Sequence, residues 1–354
     1  MTIDSRYFSG AEDLLRKIVR ISSYSGEENE VSLLVLNYLS EKGVDCIRIK
    51  NNIVAYSKDY DASKPTLMLN SHLDTVKASE GYLIDPFNPP LSEERIWGLG
   101  SNDAGGSVVC LAETFLFFNN KTLPFNLLLV LSAEEENSGK NGIEAVIKKM
   151  PEVNCAIVGE PTGMKVAVAE RGLLVVDAIA HGVSGHAARG EGINAIDIAI
   201  DDIDWLRSYK FPAISPLMGE VKTTVTQIEA GKQHNVIPDR CKFVIDIRPT
   251  DQYTNSQIMD ILIANMKSVL KARSLTNRSS SVPDDHPLVK TAVLLGLETY
   301  ISPTTSDWMR LKVPAIKMGP GDSVRSHRAD EYILKEEIRK GVEGYINFVN
   351  KLEL

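Results

Sequence analysis

The chain has 354 residues, 43% hydrophobic and 24% charged, with a formal net charge of −8. This length exceeds what one hydrophobic core usually serves, so two domains are expected. The acidic balance argues against a general nucleic-acid surface, and no run approaches the roughly 18 apolar residues that span a bilayer.

The first stretch, "MTIDSRYFSGAEDLLRKIVRISSYSG", lacks the apolar core of a secretory signal. Cys46, Cys110, Cys155 and Cys241 form no CxxC pair and sit among apolar neighbours. They read as buried, reduced thiols of a cytoplasmic protein. From about 10 to 43 the pattern is helical, with Leu14, Leu15, Ile18 and Val19 on one face. Ser25-Gly26-Glu27-Glu28 reads as a cap into a second helix that Gly43 closes. "CIRIK", "NIVAYS" and "TLMLNSH" follow as short strands. "TLMLN", "LLLVLSA" and "CAIVG" are continuous apolar runs separated by helical stretches, the signature of a parallel sheet covered on both faces.

From about 172 the texture changes. "LLVVDAIAHGVSG" reads as a strand, and "GINAIDIAIDDIDWL" as a helix with Ile193, Ile196, Ile200 and Ile203 on its buried stripe. In "CKFVIDIRP", Cys241, Phe243, Ile245 and Ile247 alternate to one side, and "VKTTVTQIEAG" is a second such strand. "NSQIMDILIANMKSVLKA" reads as another amphipathic helix, and "RSLTNRSSSVPDDHP" as a linker. "VPAIKMG" is a strand and "KEEIRKGVEGYINFVNKLEL" a closing helix. The simplest architecture is an α/β domain, residues 1–171 and 283–354, interrupted by an α+β insertion at 172–282.

Chemistry-bearing residues sit where such sheets collect ligands, at the carboxyl ends of strands. His72 and Asp74 follow "TLMLNS", Glu134-Glu135-Glu136 follow "LLLVLSA", Glu160 follows "CAIVG", and His327 comes after "VPAIKMG". Asp103 lies in "GLGSNDAGG". That stretch fails GxGxxG at position 103 and lacks the GK[ST] of a P-loop, and its carboxylate would repel a phosphate. A divalent cation is the better guest. Imidazoles and carboxylates together suit two divalent ions with mixed nitrogen and oxygen ligands, most simply zinc.

The ordered set "SHLDTV", "GLGSNDAGG", "SAEEENSG", "VGEP", "SGHAARG", "NVIPD", "DIR" and "GPG…SH" resembles the co-catalytic zinc amidohydrolases. That family includes acetylornithine deacetylase, succinyl-diaminopimelate desuccinylase, aminoacylase and glutamate carboxypeptidase, and the chain looks most like the first branch. The resemblance implies a zinc-peptidase-like catalytic domain with a mostly parallel sheet, and a ferredoxin-like insertion that serves as lid and dimerisation domain. It implies two zinc ions per subunit, with cobalt or manganese as possible substitutes. His72 and Glu160 would hold one ion, Glu136 and His327 the other, and Asp103 would bridge them, with a cis peptide after it. Asp74 would orient His72, and Glu135 would be the general base. His186 would act on the partner subunit's active site in a homodimer, while Asn235 and Arg248 would contact substrate.

Where the family usually has Asp-Glu-Glu, this chain has three glutamates, so a base and ligand pair of Glu134 and Glu135 is the alternative register. Gly105 stands where many members carry lysine. The implied reaction is hydrolysis of the amide of a small N-acyl amino acid, most simply N-acetylornithine in arginine biosynthesis, or acetylcitrulline or succinylornithine. A desuccinylase of succinyl-diaminopimelate, a dipeptidase or carboxypeptidase, and a catalytically silent binding homologue are the alternatives. Neither nucleic acid nor membrane is an expected partner.

Overall fold

A computed structural model describes residues 3–354. The chain divides into two compact units. The first runs to Val168 and resumes at Ser281–Tyr300 and Ser306–Leu354; the second comprises Ala169–Ser280 with Ile301–Thr305. Each has its own apolar core, as the chain length requires.

In the first unit the apolar runs become the middle of a sheet. Thr66–His72 and Asn126–Ser132 are buried along their whole length and pair in parallel, with His72 opposite Ser132. Cys155–Val158 joins the other side of Thr66–His72, and Ala315–Lys317 joins it in turn, both parallel. The hairpin of Cys46–Ile49 and Asn52–Tyr56 adds antiparallel strands at one side. Val166–Glu170, within which the division between units falls, pairs antiparallel at the other. Runs of Leu, Val and Ile without alternation are what a two-sided burial demands.

Helices Ser5–Ile18, Gly106–Phe118 and Lys335–Lys351 contribute to the same core through Leu14, Leu15, Phe115, Tyr345 and Phe348. Gly106–Phe118 is buried on nearly every face, consistent with its mostly apolar sequence, and it buries Glu113 as well. No helix among the described residues is long and apolar enough to cross a membrane.

The second unit follows the order strand, helix, two strands, helix, strand. Its antiparallel sheet runs Lys222–Ala230, Arg240–Arg248, Leu174–His181, Val269–Ala272. This is the ferredoxin-like arrangement. Cys241, Phe243, Ile245 and Ile247 face its core, as their alternation predicts.

Two expectations fail here. The helix Ala195–Ser208 buries Ala195, Ala199, Asp202 and Leu206, whereas Ile200 is half-exposed and Ile193 precedes the helix. The inward carboxylate of Asp202 accepts the backbone N–H groups of Lys267 and Ser268, both at 2.8 Å, which rotates the buried stripe away from the isoleucines. The helix expected over 255–272 stops at Asn265, and Val269–Ala272 pairs with Leu174–His181 instead. Strand pairing supplied by the folded sheet overrides the local helical pattern.

Candidate metal centre

Loops leaving the buried strands of the first unit bring the predicted donors together. His72 closes its strand, Glu134–Glu136 lie just past Ser132, and Glu160 lies just past Val158. Asp103 enters from a kinked turn, Ser101–Gly105, at the head of Gly106–Phe118, with non-helical φ and ψ of −118° and 97°. Gly98 and Gly100 reach it with φ of 135° and 75°, conformations that favour glycine. The Asp103–Ala104 peptide is cis. A Cβ on Gly105 would collide with the Gly100 carbonyl oxygen and with Leu15. A lysine at that position would require the turn and Leu15 to shift.

His72 Nε2 lies 3.3 Å from Asp103 Oδ1 and 3.9 Å from Glu160 Oε1. The other oxygen of Asp103 lies 3.7 Å from His327 Nε2, which is 3.1 Å from both oxygens of Glu136. Two groups of potential ligands result, His72 with Asp103 and Glu160, and Asp103 with Glu136 and His327. Within each, the ligand atoms lie within 4.8 Å of one another, and Asp103 belongs to both.

Asp74 holds more of this framework than its spacing suggested. Its backbone carbonyl, at 2.9 Å, takes the Nδ1 proton of His72 and leaves Nε2 free as a ligand. Its carboxylate, 3.5 Å from Nδ1, accepts the N–H groups of Glu135 and Glu136, each at 3.0 Å. Ser25 donates to the same carboxylate at 2.6 Å rather than capping the helix Asn29–Glu41. Glu134 turns away, with φ of 53°, and its carboxylate receives the backbone N–H and side-chain amide of Asn141.

The electrostatics identify the missing charge. Burial alone would lower the pKa of His72, yet its bonds to Asp103 and Asp74 hold it well above the usual range. Burial raises Glu135 strongly and Glu136 less so, and lifts Glu160 to about 8. His327, hydrogen-bonded to Glu136, rises to about 9. Two further buried acids complete the cluster. Burial lifts Asp307, hydrogen-bonded by Ser132 at 2.5 Å, to about 6. Burial and the charge of Asp103 lift Glu331 to about 8, against three backbone N–H groups that donate to it. So many carboxylates around two imidazoles are short of positive charge, and the convergent N and O donors fit a pair of divalent cations.

Sequence reasoning missed Asp307 and Glu331. Glu331 lies inside the quoted "SHRADEY", but a lone acid has no motif spacing. His286, with no ligand role expected, caps the helix Pro287–Leu294.

The second unit holds the other candidates. His186 in Gly185–His186 pairs with Val236 of Val236–Ile237, and the Ala187 N–H donates to the Asn235 carbonyl at 3.0 Å. That ribbon brings His186 and Asn235 side by side, both exposed. Arg248 ends its strand in a two-point ion pair with Asp246, at 2.8 and 3.0 Å.

An α/β frame carrying a shared-carboxylate ligand cluster, together with a ferredoxin-like insertion, defines a metal-dependent hydrolase class. The chain belongs to peptidase family M20/M25/M40, whose model matches residues 68–351, and it is a hydrolase of that family. It is 27% identical over 269 residues to a succinyl-diaminopimelate desuccinylase 2 of Ruegeria sp. (strain TM1040), covering 70% of this chain and 67% of that protein. It is 26% identical over 334 residues to an acetylornithine deacetylase of Buchnera aphidicola subsp. Acyrthosiphon pisum (strain Tuc7), covering 85% of each. A Bacillus subtilis protein described as a dinuclear metal binding peptidase of this family matches the fold with a TM-score of 0.70 at 15% identity, over 98% of both chains.

Proposed function

We propose that the chain hydrolyses the amide bond of a small N-acyl amino acid, with N-acetylornithine or a close relative as substrate. The observation that carries this reading is the double ligand group sharing Asp103, with Glu135 beside it. His72 and Glu160 would hold one ion, Glu136 and His327 the other, and Asp103 both. Divalent ions bound there, most simply zinc, would acidify a water and polarise the scissile carbonyl.

The remaining steps belong to the protein. Glu135, fixed through its backbone N–H to Asp74, takes the proton of the attacking water on a carboxylate oxygen. It then returns that proton to the nitrogen of the leaving amine, which departs neutral. His186 donates a hydrogen bond to the oxyanion that forms from the carbonyl. If it serves the partner's site, the working unit is a homodimer. Asn235 and Arg248 hold the substrate, Arg248 through its carboxylate.

Acetyl is preferred because the match to the acetylornithine deacetylase extends over 85% of both chains. A succinylated diamino acid is the second reading, supported by the match to the desuccinylase. A panel of acetyl and succinyl derivatives of ornithine, citrulline and diaminopimelate separates them. Chelator-sensitive release of ornithine from its acetyl derivative supports the first. Release only from succinyl substrates replaces it with the second, and release only from dipeptides removes both.

A further inference from the structure

Glu331 is a carboxylate with 2% of its surface exposed, and no motif draws attention to it. Its Oε2 accepts the N–H of Gly100 at 3.1 Å, and its Oε1 accepts those of Asn102 and Asp103 at 2.8 and 2.9 Å. Those N–H groups belong to the kinked turn that leads into the helix Gly106–Phe118, and the Glu331 carboxylate is their acceptor. An anion set into such a concavity of amides is strongly held.

Glu331 is fixed from its own side as well. Its carbonyl accepts the Gly98 N–H at 3.0 Å. The next residues, Tyr332–Leu334, pair antiparallel with Arg95–Trp97. His327 and Asp330, with φ of 60° and 55°, turn the intervening chain so that His327 and Glu331 flank Asp103. The Asn102 amide exchanges hydrogen bonds with the backbone of Asp322, at 3.0 and 2.9 Å, and anchors the same turn from another direction.

We propose that Glu331 is a positioning residue for the bridging carboxylate. Resting on the reading of Asp103 as ligand to both ions, the inference is that Glu331 fixes the backbone of 100–103. The two oxygens of Asp103 are thereby aimed apart, one at the His72 group and one at the His327 group. Glu331 touches neither ion nor substrate. Its effect on the two ion sites is joint, because the carboxylate it aims is common to both. A residue that only braced the fold would lower stability without touching ion affinity.

The test uses the full chain, stripped with a chelator and titrated with Zn2+ against a chromophoric competitor. Wild type takes up two ions. Glu331→Gln replaces one acceptor with an amide that faces an N–H, and both dissociation constants rise, by roughly 10- to 100-fold as for other residues that support metal ligands. Its ion-free form stays folded and melts a few degrees below wild type, because one buried N–H loses its acceptor. Glu160→Gln, which alters one ligand group alone, weakens one step. Should Glu331→Gln fail to fold, Glu331→Asp keeps the charge but draws the oxygens back by one methylene, and again both constants rise. A folded variant that binds two ions with wild-type affinity overturns the inference and leaves the two-ion reading intact. Wild type that takes up fewer than two ions overturns that reading, and the inference with it.

Discussion

The two units carry their candidate residues in opposite ways. In the first, His72, Glu136 and Glu160 sit at or just past the ends of buried strands, while Asp103 and His327 sit on turns. Secondary hydrogen bonds hold the groups around them: Asp74 grips two backbone N–H groups and Ser25, and Glu331 grips three more. In the second, His186 and Asn235 are exposed on a two-stranded ribbon, and Arg248 is held by one acid. The difference teaches where precision is needed. Ligands and a proton-transfer base must be placed within a few tenths of an ångström before substrate arrives. Groups that greet the substrate are free to adjust until it binds.

The sharpest break of that comparison lies among the adjacent glutamates. Glu135→Ala keeps the backbone N–H that Asp74 holds, so two ions stay bound while kcat falls by about 10²- to 10⁴-fold, the usual worth of a general base. Glu134→Ala removes only the contact with Asn141 and leaves kcat within a few-fold. Steady-state kinetics with metal analysis on both variants decides it. Ion loss on Glu135→Ala would move the ligand register by one residue.

A somewhat smaller effect is expected across the divide. His186→Ala costs about 10²- to 10³-fold in kcat, the range for one oxyanion donor, without altering bound metal or melting temperature. Mixing this variant with Glu135→Ala tests the trans arrangement. Subunit exchange puts an intact Glu135 and an intact His186 in one site, so turnover returns on mixing. Two inactive variants that stay inactive together, after exchange is verified, place His186 in its own subunit or outside the reaction.

Both regions were partly written in the sequence, for different reasons. The alternation of Cys241, Phe243, Ile245 and Ile247, and the apolar runs ending in His72 and Ser132, are local patterns that burial enforces. Among the candidate donors, His72, Glu135, Glu136 and Glu160 were readable because each follows such a run, whereas Asp103 and His327 lie in loops and were readable only through the motifs around them. What escaped is non-local. Asp202 breaks the isoleucine stripe because its partners, Lys267 and Ser268, lie on a distant strand connection. Glu331 acts on Asn102 from 229 positions away, so no spacing rule links them. Ser25 has the look of a helix cap, and only the folded chain reveals Asp74 as its partner.

A buried acid of the first unit outside the candidate centre shows what burial alone does to a carboxylate. Glu113, 2% exposed on the helix Gly106–Phe118, has the Tyr38 hydroxyl as its hydrogen-bond donor. Burial lifts it from 4.5 to about 7, with the Tyr38 bond opposing. Between those values the folded chain holds a proton that the unfolded chain has released. Stability is therefore greatest below pH 4.5 for this group, falls as pH rises to 7, and is level above. The full shift corresponds to an upper figure of roughly 3 kcal/mol. Glu113→Gln flattens that slope and melts higher than wild type at pH 8. Melting curves at pH 5 and 8 check it, and an unchanged slope assigns the pH response elsewhere.

The smallest effect concerns Arg248, the most constrained candidate of the second unit. Asp246 lies two residues back on the same strand, hence on the same face, and engages both Nε and Nη2. The pair orients the guanidinium plane and leaves the Nη1 edge for a second carboxylate. A substrate carboxylate bound there would gain a charge-assisted bond, so Arg248→Ala raises KM about 10- to 100-fold with kcat little changed. Arg248→Lys does not restore it, because an ammonium cannot serve Asp246 and substrate with one planar fork. The decisive control is an N-acyl amine with no carboxylate, which wild type and Arg248→Ala should handle equally. If both substrates lose the same factor, the arginine serves only its partner Asp246, and carboxylate recognition belongs to another residue.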